Sequence, residues 1–471
     1  MAGIGFELRK LYRKEGLLQK VRAFAFTSFI TVGPLISCIF MILGVQGLSL
    51  QTGVDFVERE LIHVSMVYAF IFSYLITSIV NMFITRYLAD RLFTKNYTHL
   101  ISTFYGCLCL CLIASSLVAL PFILMKLAHW KLILPAFLFY QELVIIWLAS
   151  TYVTAVKHYK SIVHAYLIGV FLTLTSLFVC VHYFDIHQAQ HLLYCFVFGF
   201  LFTAGWLLHR IDRFFRTDED SPVSFHFLSY RKKFHSLIGS SFFLALGLYV
   251  HQFMYWIAPT YQYPIQNIYY VSNFYDLPVF YGFITVIPSM VIFVMSVETA
   301  FYPKYRKYYD TIIEKGTILD INQAKHEMNK VLMQQLTLMM GIQLIVSVIC
   351  LALGIRFLPK LGFTSYQIDT FTVLVLAFYM FIVFSTICLL LLYFDDRMAV
   401  FRLTLLFFVS TVVLTWVSMY LERHGLGFFL SCFLSFAVAY RRLAHISSHI
   451  HYYTFSAQPL LSKEGDSSVQ S

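Results

Sequence analysis

The chain has 471 residues, of which 59% are apolar and only 12% charged, and its formal net charge is +10. That balance excludes a soluble enzyme or binding domain, because too little polar surface exists to cover a globule of this length. The positive excess is scattered over the loops between apolar runs. It therefore points to membrane topology and anionic lipid rather than to a nucleic-acid footprint.

Residues 1–22 are polar and predict an amphipathic helix. Leu8, Leu11, Leu18 and Val21 fall near one face, and Arg9, Lys10, Arg13, Lys14 and Lys20 mostly elsewhere. Such a helix lies on the membrane interface. The apolar run that follows is too long for a signal-peptide core.

A helix needs about 20 apolar residues to cross about 30 Å of hydrocarbon. Runs of that kind are predicted at 23–48, 62–85, 101–125, 131–156, 161–184, 192–209, 237–257, 277–300, 334–356, 369–393, 398–420 and 427–444. Alternate loops between them differ sharply in charge: one set carries 28 of the 34 Lys and Arg, the other 6. Basic residues accumulate in cytoplasmic loops, so the chain is expected to thread through a membrane with both termini in the cytoplasm.

The expected fold is an all-α polytopic membrane protein of about 12 transmembrane helices in two six-helix bundles, 23–209 and 237–444. A cytoplasmic linker, 210–236, joins them through Thr217-Asp218-Glu219-Asp220-Ser221-Pro222 and the basic Arg231-Lys232-Lys233. Two facing bundles are a common transporter layout. A second cytoplasmic insert, 301–333, reads as helical, and the segment 445–471 forms a cytoplasmic tail that turns polar and disordered after about 454.

Little here suggests chemistry. No phosphate-cradling glycine loop with its Lys-Ser/Thr pair is present, so no nucleotide is implied. Cys107, Cys109 and Cys111 lie in one span two residues apart, about 200° round a helix, and cannot converge on one metal. His164 and His182 have no evident partner and suit core or interface roles. An intramembrane acyltransferase would need histidines clustered with Asp or Asn at one depth, and none are seen. No catalytic residue, metal or cofactor is expected.

Ionisable groups inside spans are costly and are functional candidates. Glu142 lies deep in the fourth span beside Tyr140 and Gln141. It is either a cavity-lining carboxylate or a neutral carboxyl bonded to a neighbouring helix. Asp276 and Glu298 bracket the eighth span, with Pro278 and Pro288 between them. This pattern suits a gating helix, or a cap at Asp276 with Glu298 at the interface. Gly33-Pro34, Pro121 and Pro135 offer further kinks. His251, Gln252, Tyr255 and Trp256 close the seventh span, as an aromatic anchor or, for His251, a titrating gate. With 32 Tyr and 49 Phe, a tyrosine-lined cavity would suit carbohydrate better than an ion, although lipid-facing Phe accounts for much of the count.

Three stretches carry a family resemblance. The opening Met1-Ala2-Gly3-Ile4-Gly5-Phe6-Glu7-Leu8-Arg9-Lys10-Leu11 resembles the start of the PelG family, inner-membrane transporters of the Pel exopolysaccharide system. Thr85-Arg86-Tyr87-Leu88-Ala89-Asp90-Arg91-Leu92-Phe93 is similar to it too, as is the stretch from Tyr275-Asp276-Leu277-Pro278-Val279-Phe280 through Ile287-Pro288 and Glu298-Thr299 to Tyr305–Tyr309. At the seventh span, where this family often carries charge, the chain has His251-Gln252.

The resemblance implies an exporter, not an enzyme, grouped with the multidrug/oligosaccharidyl-lipid/polysaccharide flippases. It implies a polysaccharide substrate, a cytoplasmic glycosyltransferase and membrane scaffold partners, and biofilm polymer export. Sugar would then meet Glu142, Tyr140, Gln141, Asp276 and Glu298. Gly33, Pro34, Pro278 and Pro288 would bend the gate. Residues 1–22 together with Tyr305, Arg306, Tyr308 and Tyr309 would dock partners. A lipid-linked oligosaccharide flippase of the same fold and a non-transporting synthase scaffold are the rival expectations.

Overall fold

The computed structural model describes residues 33, 37–48, 51, 53–95, 99–156, 158–215 and 224–456, the side chains of 226, 233, 294, 295 and 298 aside. The expected interfacial helix 1–22, most of the first span, Pro34 and the end of the tail lie outside these residues. Eleven helical stretches are long and apolar enough to cross a membrane, and a shorter apolar helix, α1 (Ser37–Leu48), precedes them. They fall in the order and at the places of the expected spans.

The first half continues with α2 (Phe56–Phe93), α3 (Leu100–Met125), α4 (Trp130–Ala155), α5 (Tyr159–Phe184) and α6 (Ala189–Phe215). At 38 residues α2 is about 57 Å long, well beyond the hydrocarbon thickness, and the overhang carries Arg86, Asp90 and Arg91. Pro121 and Pro135 sit inside unbroken helices. α5 and α6 cross tightly because glycines face threonines: a Cβ on Gly199 would stand 2.0 Å from Thr173 Oγ1, and one on Gly169 1.9 Å from Thr203 Oγ1. Small residues allow this close backbone approach in a membrane, where apolar packing has little other driving force.

The described end of the linker, residues 224–230, folds against α3. Ser224 donates its amide to the Ser102 carbonyl at 2.9 Å, directly over Gly106, where a Cβ would meet the Ser224 carbonyl oxygen at 2.2 Å.

In the second half α7 (Arg231–Ile257) leads to a hairpin of β1 (Tyr263–Ile265) and β2 (Tyr269–Val271). This small sheet is absent from the all-α expectation. Left-handed φ at Gln266 and Asn267 makes the turn, a conformation asparagine tolerates. The eighth span is two helices, α8 (Asn273–Ile284) and α9 (Ile287–Ser296), followed by a π-helical turn, Val297–Phe301, that carries Glu298.

Next come α10 (Tyr302–Ile313), α11 (Ile318–Phe357), α12 (Ser365–Tyr393), α13 (Arg397–Tyr420), α14 (Leu426–Ser448) and the short α15 (Ile450–Ser456). Part of the expected insert 301–333 is therefore the first turns of one 40-residue helix that becomes the ninth span. A capping box, Thr317 with Asp320, starts it.

Buried apolar side chains form two large clusters, one from Cys38 to Leu237 and one from Leu248 to Ile450. These are the cores of the two bundles. A small third cluster, with Ile71 and Leu75 of α2 against Ala245 and Trp256 of α7, joins them. Ile265, Ile268, Tyr269 and Val271 of the hairpin belong to the first core although they follow α7 in the chain. The second half thus reaches across and plugs into the first. α7 runs from the linker at one end of the molecule, the linker end, to the hairpin at the other, the hairpin end.

Candidate functional site

The three neighbours on α4 separate in space. Gln141 is an interhelical staple: it accepts from Ser115 Oγ at 2.7 Å and donates to Ser116 Oγ at 2.9 Å, both on α3. The Tyr140 hydroxyl donates to the Ser115 carbonyl at 3.3 Å. Glu142 is 7% exposed, and its Oε2 has no hydrogen-bond partner among the described residues. It lies on the α4 face of Phe139, which packs on Phe70, Phe196 and Phe200 inside the first bundle. A buried carboxyl oxygen without a donor is costly, and Glu142 carries that cost inside the first bundle.

Asp276 is half-buried at the start of α8 and engaged through both carboxylate oxygens. It accepts from the backbone amide of Ser272 at 2.8 Å, from Trp256 Nε1 at 2.8 Å and from Gln252 Nε2 at 3.2 Å. The carboxylate fastens the first turn of α8 to the end of α7. His251 lies in the core of the second bundle, within 3.0 Å of the Tyr275 hydroxyl and against the Phe428 ring at 4.0 Å between centroids.

The hairpin end is closed by aromatic and polar contacts between the halves. Trp256 stacks on Tyr68 at 4.7 Å, and Phe253 stacks on Phe72 at 5.5 Å. Tyr68 Oη donates to the Tyr270 carbonyl at 2.6 Å. Tyr269 enters the first half, close to Ser65 Oγ at 3.2 Å and stacked on Phe122. Lys126 Nζ donates to the Asn267 carbonyl, and Asn273 Nδ2 to Glu60 Oε1 at 3.3 Å.

The proline break falls just before Pro288, between α8 and α9, while Pro278 is carried inside α8. A residue not singled out in the sequence, Gln343 of α11, secures the break. Its Nε2 donates to the Thr285 carbonyl at 3.0 Å, and its Oε1 accepts from Ser289 Oγ. Polarity inside the ninth span was the available signal. Gly33 packs near Val163 of α5.

Of the expected docking residues, Tyr308 is fully buried, with its hydroxyl on His451 Nδ1 at 2.9 Å, and Tyr305 donates to the Tyr393 carbonyl at 2.9 Å. Tyr309 packs on Tyr305. Arg306 remains exposed, paired with Asp310 at 3.2 Å. Lys304 and Lys307 both reach Glu327, which ties α10 to α11.

Another polar stripe went unnoticed in the sequence because its members are uncharged. Trp147 Nε1 donates to Ser73 Oγ at 3.1 Å, Thr151 Oγ1 donates to Asn81 Oδ1 at 3.1 Å, and Tyr74 touches both Trp147 and Tyr249 of α7 edge-on at 6.1 Å. It lies on α2 and α4 at the boundary with the second half.

Residues 1–455 match the PelG family, described as exopolysaccharide exporters (EPS-E). The chain belongs to this family.

A search of curated protein sequences gave no match. Among solved structures, a MATE transporter in its bent conformation is similar at TM-score 0.62 and 11% identity, covering 92% of this chain and 96% of its own. An outward-facing multidrug resistance MATE transporter of the MOP superfamily matches at 0.61 and 11%, over 90% and 96%. The Vibrio cholerae MATE transporter VcmN in its bent form matches at 0.59 and 9%, over 91% and 97%. At these identities the likeness shows the fold: two six-helix bundles of the MOP type. The PelG-family chain is a multi-pass membrane transporter, not an enzyme.

Proposed function

We propose that this chain exports a nascent N-acetylhexosamine-rich exopolysaccharide across the bacterial cytoplasmic membrane for biofilm matrix. The linker end is cytoplasmic in this reading, with both termini on that side. The observation that carries it is the match to the exporter family over residues 1–455, on a chain whose fold is that of a two-bundle transporter. The charge asymmetry of the loops supports the orientation.

A cytoplasmic glycosyltransferase delivers the growing chain to the linker end, and membrane scaffold subunits hold the pair together. Residues 1–22 and α10, with its exposed Arg306, dock these partners in this reading. Glu142, with its unengaged carboxyl oxygen, meets sugar amide or amine groups in the first bundle. Asp276 and the break before Pro288 set the geometry of a moving eighth span.

Deleting the gene in its native host and restoring it on a plasmid tests this, with polymer measured inside and outside the cell. Export that returns only with the plasmid, while synthesis continues in both strains, is the expected result. Unchanged export without the gene sinks the proposal. Loss of export only when a polyprenyl carrier is depleted would favour flipping of a lipid-linked oligosaccharide instead.

A further inference from the structure

We infer that the stripe of Tyr74, Asn81, Trp147 and Thr151 is a binding track for an uncharged sugar chain, an assignment that rests on the export reading and names the part of the protein that touches substrate.

The helical spacing builds the track. Tyr74, Asn81 and Thr85 share one face of α2, and Trp147, Thr151 and Thr154 share one face of α4. Hydrogen bonds hold the faces side by side at two levels, Trp147 on Ser73 and Thr151 on Asn81. The levels are eight residues apart on α2, about 12 Å along the helix axis. Tyr74 reaches Tyr249 of α7, so the upper level stands where the two bundles meet. Glu142 is five residues from Trp147, about 140° round α4, and does not share this face.

Exposure and chemistry identify what the track is for. Asn81 is exposed and Tyr74, Trp147, Thr151 and Thr154 are half-buried, although all lie in helices that cross the membrane. Polar side chains at such depth face a bundle interior or a water-filled cavity, because lipid cannot satisfy them. The Thr151 hydroxyl lies between the Trp147 carbonyl and the carboxamide oxygen of Asn81, at 3.1 Å from each, so it uses the oxygen of that carboxamide and not its N–H2.

Residues 74–85 and 147–154 contain no Asp, Glu, Lys, Arg or His. A cation would find no counter-charge there, and an anion no base. An indole, two phenols, a carboxamide and two threonine hydroxyls are the groups that stack on the C–H face of a pyranose and bond its hydroxyl and acetamido groups. An interhelical staple would explain the Asn81–Thr151 bond, but not the exposure of Asn81 nor the aromatic cluster above it.

The full-length protein in lipid nanodiscs is titrated with a neutral tetrasaccharide of N-acetylglucosamine, and with a hyaluronate tetrasaccharide as its anionic counterpart. Saturable binding of the neutral probe is expected, at least tenfold tighter than the anionic one. Trp147→Ala or Asn81→Leu should weaken it about tenfold or more, and Gly205→Ala, a position with open space around it, should not. Should Trp147→Ala fail to fold, Trp147→Phe and Asn81→Leu carry the comparison, and Asn81→Gln should restore part of the binding.

Equal affinity in wild type and variants, or no preference for the neutral probe, overturns the track. So does the absence of saturable binding in a protein that still exports polymer in cells. Binding with the expected variant pattern in a protein that moves no polymer would keep the track and sink the export reading alone.

Discussion

Trp256 stacks on Tyr68 across the boundary between the bundles at 4.7 Å, with the rings 8° from parallel, and the same indole donates to Asp276 at 2.8 Å. One side chain thereby links α2, α7 and α8 at the hairpin end. The carboxylate of Asp276 keeps the start of α8 in register with that joint, so a shift of α8 cannot leave the bundle boundary untouched.

Trp256→Phe keeps a ring for Tyr68 but removes a donor from the half-buried Asp276 carboxylate. Losing one partner of a buried polar group costs about 1–3 kcal/mol. The variant should unfold at a lower temperature than wild type in the same lipid, whereas Trp256→Leu should fall further by losing the stack as well. A melting curve equal to wild type for Trp256→Phe would show that Asp276 does not depend on the indole.

The α5–α6 crossing makes a sharper steric forecast. Gly199→Ala places a methyl 2.0 Å from Thr173 Oγ1 and 2.5 Å from the Gly169 carbonyl, so backbone must move. Overpacking of this kind costs about 1–3 kcal/mol, and more where backbone blocks relaxation. Gly205→Ala on the same helix meets nothing within 4 Å and should be neutral or gain about 0.5–1 kcal/mol from helix propensity. Size-exclusion profiles and melting of the two variants side by side check this.

These residues also show what a linear reading could reach. Span order follows from runs of apolar residues and the charge of the loops, both local properties. Asp276 was legible as a residue of the helix start, but not as the cap expected before Pro278: the N-cap is Ser272, and Asp276 accepts that residue's amide from within the first turn. Its ties to Gln252 and Trp256 were not legible, because they depend on how α7 meets α8. Glu142 stood out because one charge in an apolar run is conspicuous. Asn81, Trp147 and Gln343 were passed over because a neutral polar side chain in a span looks the same whether it lines a cavity or staples two helices. The hairpin at 263–271 was missed for a related reason: six residues of strand in a tyrosine-rich loop carry no helical period, and their core partners, Ser65 and Phe122, lie more than 140 residues away.

Gln343 gives a third test. The break before Pro288 interrupts the intrahelical ladder, and the Gln343 carboxamide supplies a donor to the Thr285 carbonyl while accepting from Ser289. Gln343→Leu leaves a buried carbonyl and a hydroxyl short of partners, at about 1–3 kcal/mol. Gln343→Asn, one methylene shorter, should be intermediate. Hydrogen exchange over residues 285–296 should rise in Gln343→Leu before global unfolding does. If it stays at the wild-type rate, α11 does not brace the break.

The last forecast concerns pH at α15. Asn322 Oδ1 can only accept, so His451 Nε2, at 2.9 Å from it, carries the proton, and Nδ1 accepts from the Tyr308 hydroxyl. The neutral ring therefore serves both contacts, and burial first, then Lys325, hold its pKa below the usual value of 6.5. A base with a lowered pKa binds fewer protons when docked than when released, so docking gains nothing from this term above pH 6.5. As pH falls through 6.5 the released form takes up its proton first, and docking of α15 weakens. Protonation also puts a second donor against Tyr308, whose hydroxyl then has to turn to accept. Limited proteolysis at Tyr452–Phe455, run between about pH 7.5 and 5.5 with the protein in lipid, should accelerate on the acid side. In His451→Gln the carboxamide can bond Asn322 at every pH in this window, so the acceleration should flatten. An acid response that survives His451→Gln would assign it to another group.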